Sequence, residues 1–324
     1  METIRRKLIL VALAACAGAT ASVGAHADDA YPTRPIKVIV PFTPGSGSDS
    51  SARFFGERIT KYLGQGMVVE NRPGANGIIA LQAIKTLPAD GYAVLLASNS
   101  PIAVNPLVLK NLPYDPVTDI KPVFGLSRGM NVVLVSNKSP FKTLGDLLAA
   151  ARNKPLTLAT YSAGYELAGQ WLAQVSGSKF TNVPYKGQGQ IMTDVIGDQV
   201  DFALVDSSGA LELIAGGKLR ALAVSGETRH PNLPNVPTIR ESGFPDYVTY
   251  SWTSFYVRAQ TPDKTVNTLA AALQKVMDSD EARDYMRDRG GELMPYPPAK
   301  MLSFQLAEIE RFRKIAQKAG VTPK

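Results

Sequence analysis

The first third of the chain alternates short apolar runs with segments of helical spacing. Apolar runs at residues 38–40, 67–69 and 92–96 have the length and the composition of buried strands. Polar turns, and then apolar residues spaced three or four apart, follow the first two runs, as in amphipathic helices. The order strand, helix, strand, helix, strand predicts an α/β domain with a largely parallel sheet.

The same alternation restarts after residue 143 and then returns toward the first unit. Strands are predicted at residues 156–159, 200–205 and 219–225, and helices at 144–152 (with Thr143 as its cap), 166–175, 191–196 and 210–215. A strand-like region begins at residue 122, a long strand is predicted at 248–257, and amphipathic helices at about 263–278 and 298–318 end the chain. Two crossings between two α/β lobes form a hinge with a cleft. We therefore expect residues 28–124 and 253–324 in lobe 1, and residues 125–252 in lobe 2.

Polar loops follow the three strands of the first unit, at residues 43–49, 71–77 and 97–100. In open α/β sheets, ligands bind beyond the carboxyl ends of the strands. The first loop runs from Thr43 through a Gly/Ser turn to Asp49, which is predicted to cap the following helix. Because a helix start presents unpaired N–H groups and a positive dipole end, the pattern indicates an anion-binding corner. The alternative is an ordinary turn between strand and helix.

The N-terminal segment indicates export. Arg5, Arg6 and Lys7 precede an apolar stretch, and small residues continue to Ala27, so residues 1–27 are predicted to be a signal peptide cleaved after Ala27. The apolar stretch is shorter than the roughly twenty residues of a membrane anchor. The alternative is a lipoprotein signal, in which Cys16, the one cysteine of the chain, becomes the lipidated N-terminus. Either route predicts a periplasmic protein, and cleavage after Ala27 leaves no thiol for a disulfide or for catalysis.

Composition is that of a soluble protein with a substantial core. The chain has 324 residues, of which 45% are hydrophobic and 19% charged, and this length suits two domains of ordinary size. Removal of residues 1–27 lowers the formal net charge from +7 to +5, with 32 Lys and Arg against 27 Asp and Glu, and this charge weakly favours acidic ligands. Its basic residues are not clustered as nucleic-acid binding requires, so no nucleic-acid partner is predicted.

The sequence lacks the common catalytic motifs. It has no G-x-S-x-G elbow and no G-x-x-x-x-G-K-[ST] loop, and residues 45–48 lack the third glycine of a dinucleotide-binding fingerprint. Beyond the signal peptide one histidine remains, His230, which is predicted to lie at the surface of a loop. We therefore predict no catalytic residue, no metal site and no cofactor. An enzyme that uses Asp49 or Asp206 as acid or base is the alternative.

A few other side chains are candidates for ligand contact. Asp206 ends a predicted strand and is expected to face the cleft. Tyr161, Tyr165 and Tyr185 lie in predicted loops at the cleft edge, where a phenol hydroxyl can bind a ligand. The two tryptophans are expected to pack in the core or the hinge.

Seven motifs in one order carry a resemblance that spans essentially the whole chain after the signal peptide. They are YPTRPIKVIVPFTPGSGSD, VVENRPGANG, PADGYAVLLAS, NLPYDPVTDIKPV, VPYKG, GGKLRALAVS and PNVPTIRESGFPDY. The sequence resembles the extracytoplasmic receptors of tripartite tricarboxylate transporters, also called Bug receptors. Seven ordered motifs are much more specific than any one of them.

The resemblance implies a two-lobed periplasmic binding protein of type II that closes on a small mono- or dicarboxylate. It further implies delivery to integral membrane transporter subunits, and we expect a monomer. In the family, loops equivalent to residues 43–49 and 160–164 hold one carboxylate through N–H groups, hydroxyls and ordered waters. The expected ligand-binding residues are Thr43, Ser46, Gly47, Ser48, Asp49, Ser98, Asn99, Tyr161, Ser162, Ala163, Gly164, Tyr165, Tyr185 and Asp206. A receptor that signals to a membrane sensor is the alternative within this class.

The sequence departs from the family pattern at two loops. The family has a double glycine in the first loop, where this chain has Gly45-Ser46-Gly47. The second loop is three residues shorter than usual and places Tyr165 directly after Gly164. We expect the shortened loop to change the far wall of the pocket, enlarging it or favouring an aromatic carboxylate.

Overall fold

A set of parallel strands opens the part of the chain that the computed structural model describes, residues 31–323. The elements are β1 (Ile36–Val40), α1 (Gly47–Arg58), α2 (Thr60–Leu63), β2 (Met67–Asn71), α3 (Ile78–Thr86) and β3 (Ala93–Ser98). Strand β1 pairs in parallel with β2 on one side and with β3 on the other. All six residues of β3 are buried, as the predicted parallel sheet with both faces covered requires.

One long strand connects this sheet to a second one, and another long strand later returns the chain to the first sheet. The chain continues through the short helix α4 (Asn105–Val108) into β4 (Ile120–Ser136), and β9 (Tyr250–Arg258) returns much later. Strands β4 and β9 pair in antiparallel fashion from Ile120–Arg258 to Met130–Tyr250. From Asn131 onward, β4 pairs instead with strands of the second sheet. The 17-residue strand β4 therefore runs through both sheets.

The second sheet repeats the α/β pattern. Its elements are α5 (Leu144–Asn153), β5 (Leu156–Thr160), α6 (Ala163–Ser176), β6 (Phe180–Pro184), α7 (Gln188–Ile196), β7 (Phe202–Asp206), α8 (Leu211–Ala215) and β8 (Leu219–Val224). Strand β5 is parallel to β6 and β7, whereas β4 is antiparallel to β7 and β8. Thr143 caps α5 as predicted, in a capping box with Asp146.

The end of the chain returns to the first sheet. Its elements are α9 (Asp263–Met277), α10 (Asp280–Asp288), β10 (Glu292–Tyr296) and α11 (Pro298–Lys318). Strand β10 pairs with the first part of β4, between Gly125 and Arg128. The sequence predicted α9 and α11 but neither element between them. Helix α10 is rich in charge, and its apolar stripe is narrow, consisting of Ala282, Tyr285 and Met286.

The strand order along the whole sheet is β2-β1-β3-β9-β4-β7-β5-β6. We call the part built on β1–β3, β9, β10 and the first half of β4 lobe 1, and the part built on β5–β8 and the second half of β4 lobe 2. Residues Arg34–Lys324 form one compact unit. None of the helices within residues 31–323 is both long and apolar enough to span a bilayer. The predicted signal peptide and Cys16 lie outside the described residues, and the predicted lobe boundaries remain a prediction.

Candidate functional site

A cavity of about 60 Å³ lies where the carboxyl ends of strands from both lobes meet. Of the residues expected at the site, the cavity is lined by Gly47, Ser48, Ser98, Asn99, Tyr161, Ser162, Tyr165 and Asp206. Thr43, Ser46, Asp49, Ala163, Gly164 and Tyr185 do not line it. The sequence thus located the loops that form the cavity more accurately than the individual side chains.

The start of α1 forms the first wall. Ser46, and not Asp49, caps this helix, because its hydroxyl accepts a hydrogen bond from the Asp49 N–H at 3.2 Å. Gly45 adopts a φ of +81°, a left-handed conformation that favours glycine. The prediction of Asp49 as N-cap was therefore wrong by three residues, since the helix begins at Gly47. Gly47 and Ser48, whose N–H groups precede the first intrahelical hydrogen bond, reach the cavity.

The Asp49 carboxylate stabilises the turn. It accepts hydrogen bonds from Gly45 N at 3.0 Å, from Arg53 Nε at 3.1 Å and from Asn71 Nδ2 at 2.9 Å. Burial opposes ionisation, but these hydrogen bonds outweigh it and hold the pKa of Asp49 below its ordinary value. The Asp49 carboxylate is thus ionised, and its oxygens are already hydrogen-bonded to groups around the first wall.

The start of α6 forms the second wall, from the other lobe. Ser162 is its N-cap residue and also lines the cavity. Ser100, just after β3, donates from its hydroxyl to Ser162 Oγ at 2.8 Å and accepts from Gly164 N at 2.9 Å. A Cβ on Gly164 would lie 2.6 Å from Ser100 Oγ, so this close approach requires glycine. Gly164 therefore supports the cavity by bringing the two lobes together behind it.

An aromatic cluster closes one side of the cavity. The ring of Tyr161 lies edge-on to Phe42, with centroids 5.7 Å apart, and 4.7 Å from the ring of Tyr165. The two tyrosine hydroxyls lie 2.9 Å apart. Burial raises the pKa of both Tyr161 and Tyr165 far above the ordinary value, so both phenols stay protonated at neutral pH. Tyr161 and Tyr165 thus place two neutral hydroxyls and two aromatic rings at this wall.

Asp206 reaches the cavity from the end of β7. Its Oδ1 accepts hydrogen bonds from the N–H of Ser208, at 2.9 Å, and from the Ser208 hydroxyl, and its Oδ2 accepts from Ser251 Oγ at 2.7 Å. Neutral donors therefore already bind both carboxylate oxygens. Tyr185, by contrast, donates its hydroxyl to Asp194 at 2.7 Å and lies outside the cavity.

The prediction that His230 lies at the surface was wrong. Its side chain is fully buried, Nε2 lies 3.1 Å from Ser207 Oγ, and Nδ1 accepts a hydrogen bond from Asn232 N at 3.2 Å. Burial lowers the pKa of His230, while the charge of Asp206 and the main chain of Arg289 act in the opposite direction. The loop is covered by Gly290, since a Cβ there would lie 2.0 Å from His230 Cε1.

Several cavity residues were missed at the level of sequence. Ser251 and Thr253 alternate along β9, and Ser127 faces Thr253 across the strand pair with hydroxyl oxygens 2.9 Å apart. This period of two, with polar residues in a buried strand, is a signal that could have been used. Four more come from α10 and the turn after it and are Tyr285, Met286, Arg289 and Gly291. Ala282, Tyr285 and Met286 lie at helical spacing, so this segment also carried a signal that could have been used.

The two lobes touch around the cavity. Thr43 lies against Gly187, where a Cβ would come within 1.9 Å of Thr43 Oγ1. Gly47 lies against Asp206, where a Cβ would come within 3.4 Å of Oδ1. Thr43 and Gly47 belong to lobe 1, and Gly187 and Asp206 belong to lobe 2. The structure is therefore in a closed arrangement, in which a ligand would be held from both sides.

Comparison with known proteins agrees with this architecture. The chain matches the model of the family described as tripartite tricarboxylate transporter family receptor over residues 51–321. It is similar to R. palustris Rpa4515 solved with adipate, at 32% identity and a TM-score of 0.87, with 91% of this chain and 100% of that chain covered. It is similar to the periplasmic binding protein BugD at 27% identity and a TM-score of 0.86, with 91% of this chain and 100% of that chain covered. It is similar to MatC of Rhodopseudomonas palustris with bound malate at 26% identity and a TM-score of 0.83, with 88% of this chain and 99% of that chain covered.

These likenesses extend over nearly the whole described chain and include both lobes. The two-lobed α/β architecture, in which β4 runs through both sheets and β9 returns the chain to the first, is accordingly the fold of periplasmic binding proteins. With a family match that covers most of its length, the chain belongs to the tripartite tricarboxylate transporter receptor family, together with the Bug proteins.

Proposed function

We propose that this protein is an exported receptor that captures a small carboxylate in the cleft between its lobes. The observation that carries the proposal is the meeting of two helix starts, one from each lobe, at a single cavity. The first turn of α1 contributes Gly47 and Ser48, and the N-cap of α6 contributes Ser162. The free backbone N–H groups at the start of α1, the Ser162 hydroxyl and the positive ends of the two helix dipoles favour an anion there.

Neutral donors complete this anion site. Ser98 and Asn99 line the cavity at the end of β3 and supply a hydroxyl and an amide. Such donors hold a carboxylate without the desolvation cost of a buried ion pair. The complexes of Rpa4515 with adipate and of MatC with malate support the same ligand class. We extend that class to aromatic carboxylates because Tyr161 and Tyr165 line one wall.

Binding is proposed to shift the receptor between an open and a closed form. Lobe 2 contributes Ser162 and Asp206, which can reach a ligand held by lobe 1 only when the cleft is closed. The closed, ligand-loaded monomer would then present its cargo to the membrane subunits of a tripartite tricarboxylate transporter in the periplasm. Family membership supports that partner.

The proposed role is binding without catalysis. Asp49 is occupied by the loop around α1, and Asp206 by Ser208 and Ser251. Within residues 31–323, no group of three or more His, Cys, Asp or Glu side chains is arranged to hold a metal ion. Unchanged ligand recovered after incubation with the protein would support this part of the proposal, and a chemically altered ligand would contradict it.

The test is thermal denaturation and calorimetry with a panel of carboxylates. The panel holds aliphatic mono-, di- and tricarboxylates, acidic amino acids, and benzoate- and phthalate-type acids, each beside its uncharged amide. A ligand at a hundred times its dissociation constant stabilises the folded state by about 2.7 kcal/mol, which raises the melting temperature measurably. We expect one class of acids, and none of the amides, to give a shift. The proposal fails if no acid shifts the melting temperature or if the amides bind equally well.

Site variants localise the binding. Ser162→Ala removes a hydroxyl from the cavity wall, whereas Ser303→Ala removes an exposed hydroxyl from α11. We expect the first variant to weaken carboxylate binding and the second to leave it unchanged. Equal affinities of both variants would show that the ligand binds elsewhere.

A further inference from the structure

Arg289 is a cavity-lining cation without a carboxylate partner. Among the residues that the structure describes, it forms no ion pair, although its neighbour Arg287 is paired with Asp284 and Asp288. The other arginine of the cavity, Arg128, binds Glu292 through Nε at 2.8 Å and Nη2 at 2.6 Å. The charge of Arg128 is thus compensated within the protein, while that of Arg289 is not.

The backbone of Arg289 is fixed by the end of α10. Arg289 is the last residue of the helical turn, and Gly290 follows with a φ of +62°. Gly290 N donates to Arg287 O and Gly291 N donates to Met286 O, both at 3.0 Å, which is the Schellman arrangement of a helix C-terminus. The negative end of the helix dipole at this position favours a cation.

The side chain and the turn are also held from outside. The guanidinium of Arg289 lies over the ring of Tyr285, 4.0 Å from its centroid, and Tyr285 stacks on Phe54 with centroids 3.9 Å apart. From lobe 2, His230 packs on Gly290, and Asn232 Nδ2 donates to Asp288 O at 3.2 Å. An arginine fixed in this way loses little freedom when it binds an anion.

We propose that Arg289 receives a second acidic group of the ligand, so that the cavity selects dicarboxylates over monocarboxylates. This inference rests on the proposed function, in which the starts of α1 and α6 hold the first carboxylate. The two carboxylate-binding positions differ in chemistry. The first consists of neutral donors, and the second is a planar cation suited to a carboxylate. The adipate and malate of the two solved relatives each carry two carboxylates.

The competing explanation is that Arg289 only balances Asp206, the carboxylate of the same cavity. Asp206 already accepts hydrogen bonds from Ser208 and Ser251. No ion pair joins it to Arg289 within residues 31–323. If Arg289 only balanced the charge of Asp206, its removal would weaken the binding of monocarboxylates and dicarboxylates equally. If Arg289 binds the ligand, the loss depends on the second acidic group.

The experiment therefore compares the affinities of the unmodified protein and of a variant for pairs of matched ligands. Calorimetry on the purified protein compares adipate, succinate and terephthalate with their monomethyl esters, which keep the carbon skeleton of the acid, add one methyl group and lose one charge. Arg289→Gln should lower the affinity for the diacid that binds best by about ten- to hundredfold, which is the range for a hydrogen bond to a charged group. The affinity for the monomethyl ester of that diacid should change less than twofold. Arg289→Lys, which keeps the charge and loses the planar fork, should restore part of the diacid affinity.

Arg287→Gln is the control, because that side chain is on the same helix and 69% exposed. It should leave diacid and ester affinities unchanged. If Arg289→Gln lowers the affinities for diacid and ester equally, or lowers neither, the assignment of Arg289 is overturned. The proposed function as a carboxylate receptor is not affected by that result. Monoacids that bind the unmodified protein as tightly as diacids would also overturn it. Failure of every carboxylate to bind would overturn both the assignment and the proposed function.

Discussion

Nε2 of His230 lies 3.1 Å from the hydroxyl oxygen of Ser207, and both side chains are buried. Nδ1 of the same imidazole accepts a hydrogen bond from Asn232 N, so the neutral ring carries its proton on Nε2 and donates to Ser207. Ser207 lines the cavity, and the ring also packs on Gly290 beside Arg289. The single histidine of the described residues thus connects both lobes directly behind the site.

The burial of His230 predicts a pH dependence of stability. Because the folded-state pKa lies below the ordinary value of 6.5, the unfolded chain binds the proton first as the pH falls. The free energy of unfolding should therefore decrease from about pH 6.5 downward and level off below the folded-state pKa. Urea denaturation between pH 8 and pH 5 measures this decrease.

His230→Asn is the comparison, since it cannot titrate and retains an acceptor near Nδ1. It should be less stable than the unmodified protein at pH 8, and its stability should fall less steeply between pH 7 and pH 5. Carboxylates far from His230 contribute equally to both proteins and cancel in the difference. Parallel stability curves for the two proteins would show that His230 titrates alike in the folded and unfolded states.

The anion-binding corner proposed around Gly47 was predicted from local signals, whereas the binding role of the loop around Ser162 came only from the resemblance to a family. An apolar run, a Gly/Ser turn and a helical spacing lie within one stretch around Gly47, and a similar stretch surrounds Ser162. The error at Asp49 also has a local cause. Ser46 and Asp49 are both good capping residues at this spacing, and only the backbone angles decide which of them ends the turn.

The remainder of the site depends on contacts between distant segments. Burial of His230 requires Gly290, sixty positions further along the chain, to fold over it. Arg289 reaches the cavity because β10 pairs with β4 and thereby positions the turn after α10. A charged helix such as α10 looks the same in sequence whether it lies beside a cavity or far from it. The resemblance to a family identified the cleft but did not supply these side chains.

The two tryptophans predict a fluorescence signal for binding. Trp252 lines the cavity, and its Nε1–H donates to Glu308 at 3.0 Å, whereas Trp171 stacks on Tyr247 away from the cavity. A ligand should change the polarity around Trp252 only. Trp171→Phe should therefore retain the ligand-dependent change in emission, and Trp252→Phe should lose it while still binding ligand in calorimetry. A signal that disappears with Trp171 would contradict the location of the site.

The aromatic wall predicts a preference among acids. Tyr161→Leu removes the ring that contacts Phe42 and Tyr165. Because pairs of aromatic rings contribute about 0.5–1.5 kcal/mol beyond their buried area, affinity for terephthalate should fall about three- to tenfold more than affinity for adipate. Tyr62→Leu, on the surface of lobe 1, should change neither ratio nor affinity. Equal losses for both acids would contradict an aromatic ligand subsite at this wall.

The contact between Thr43 and Gly187 predicts that closure of the lobes can be blocked without touching the ligand. Gly187 has an extended backbone, with φ of −174°, so alanine is tolerated there locally. Its Cβ would nevertheless lie 1.9 Å from Thr43 Oγ1 in the closed form. Gly187→Ala should therefore keep the lobes apart and weaken binding of any carboxylate by at least about tenfold, because the second lobe then loses its contacts. Gly189→Ala is the matched control, since nothing lies within 4 Å of the added methyl group.

The same pair of variants separates closure from folding. In the unliganded protein, Gly187→Ala should melt within a few degrees of Gly189→Ala, because an open cleft accommodates the methyl group. Small-angle scattering should show that ligand compacts Gly189→Ala and fails to compact Gly187→Ala. Thr43→Gly, which removes the opposing side chain, should restore part of the affinity in the double variant. If Gly187→Ala binds and compacts like its control, the contact between Thr43 and Gly187 is not part of the ligand-bound form, and the lobes must close in a different register.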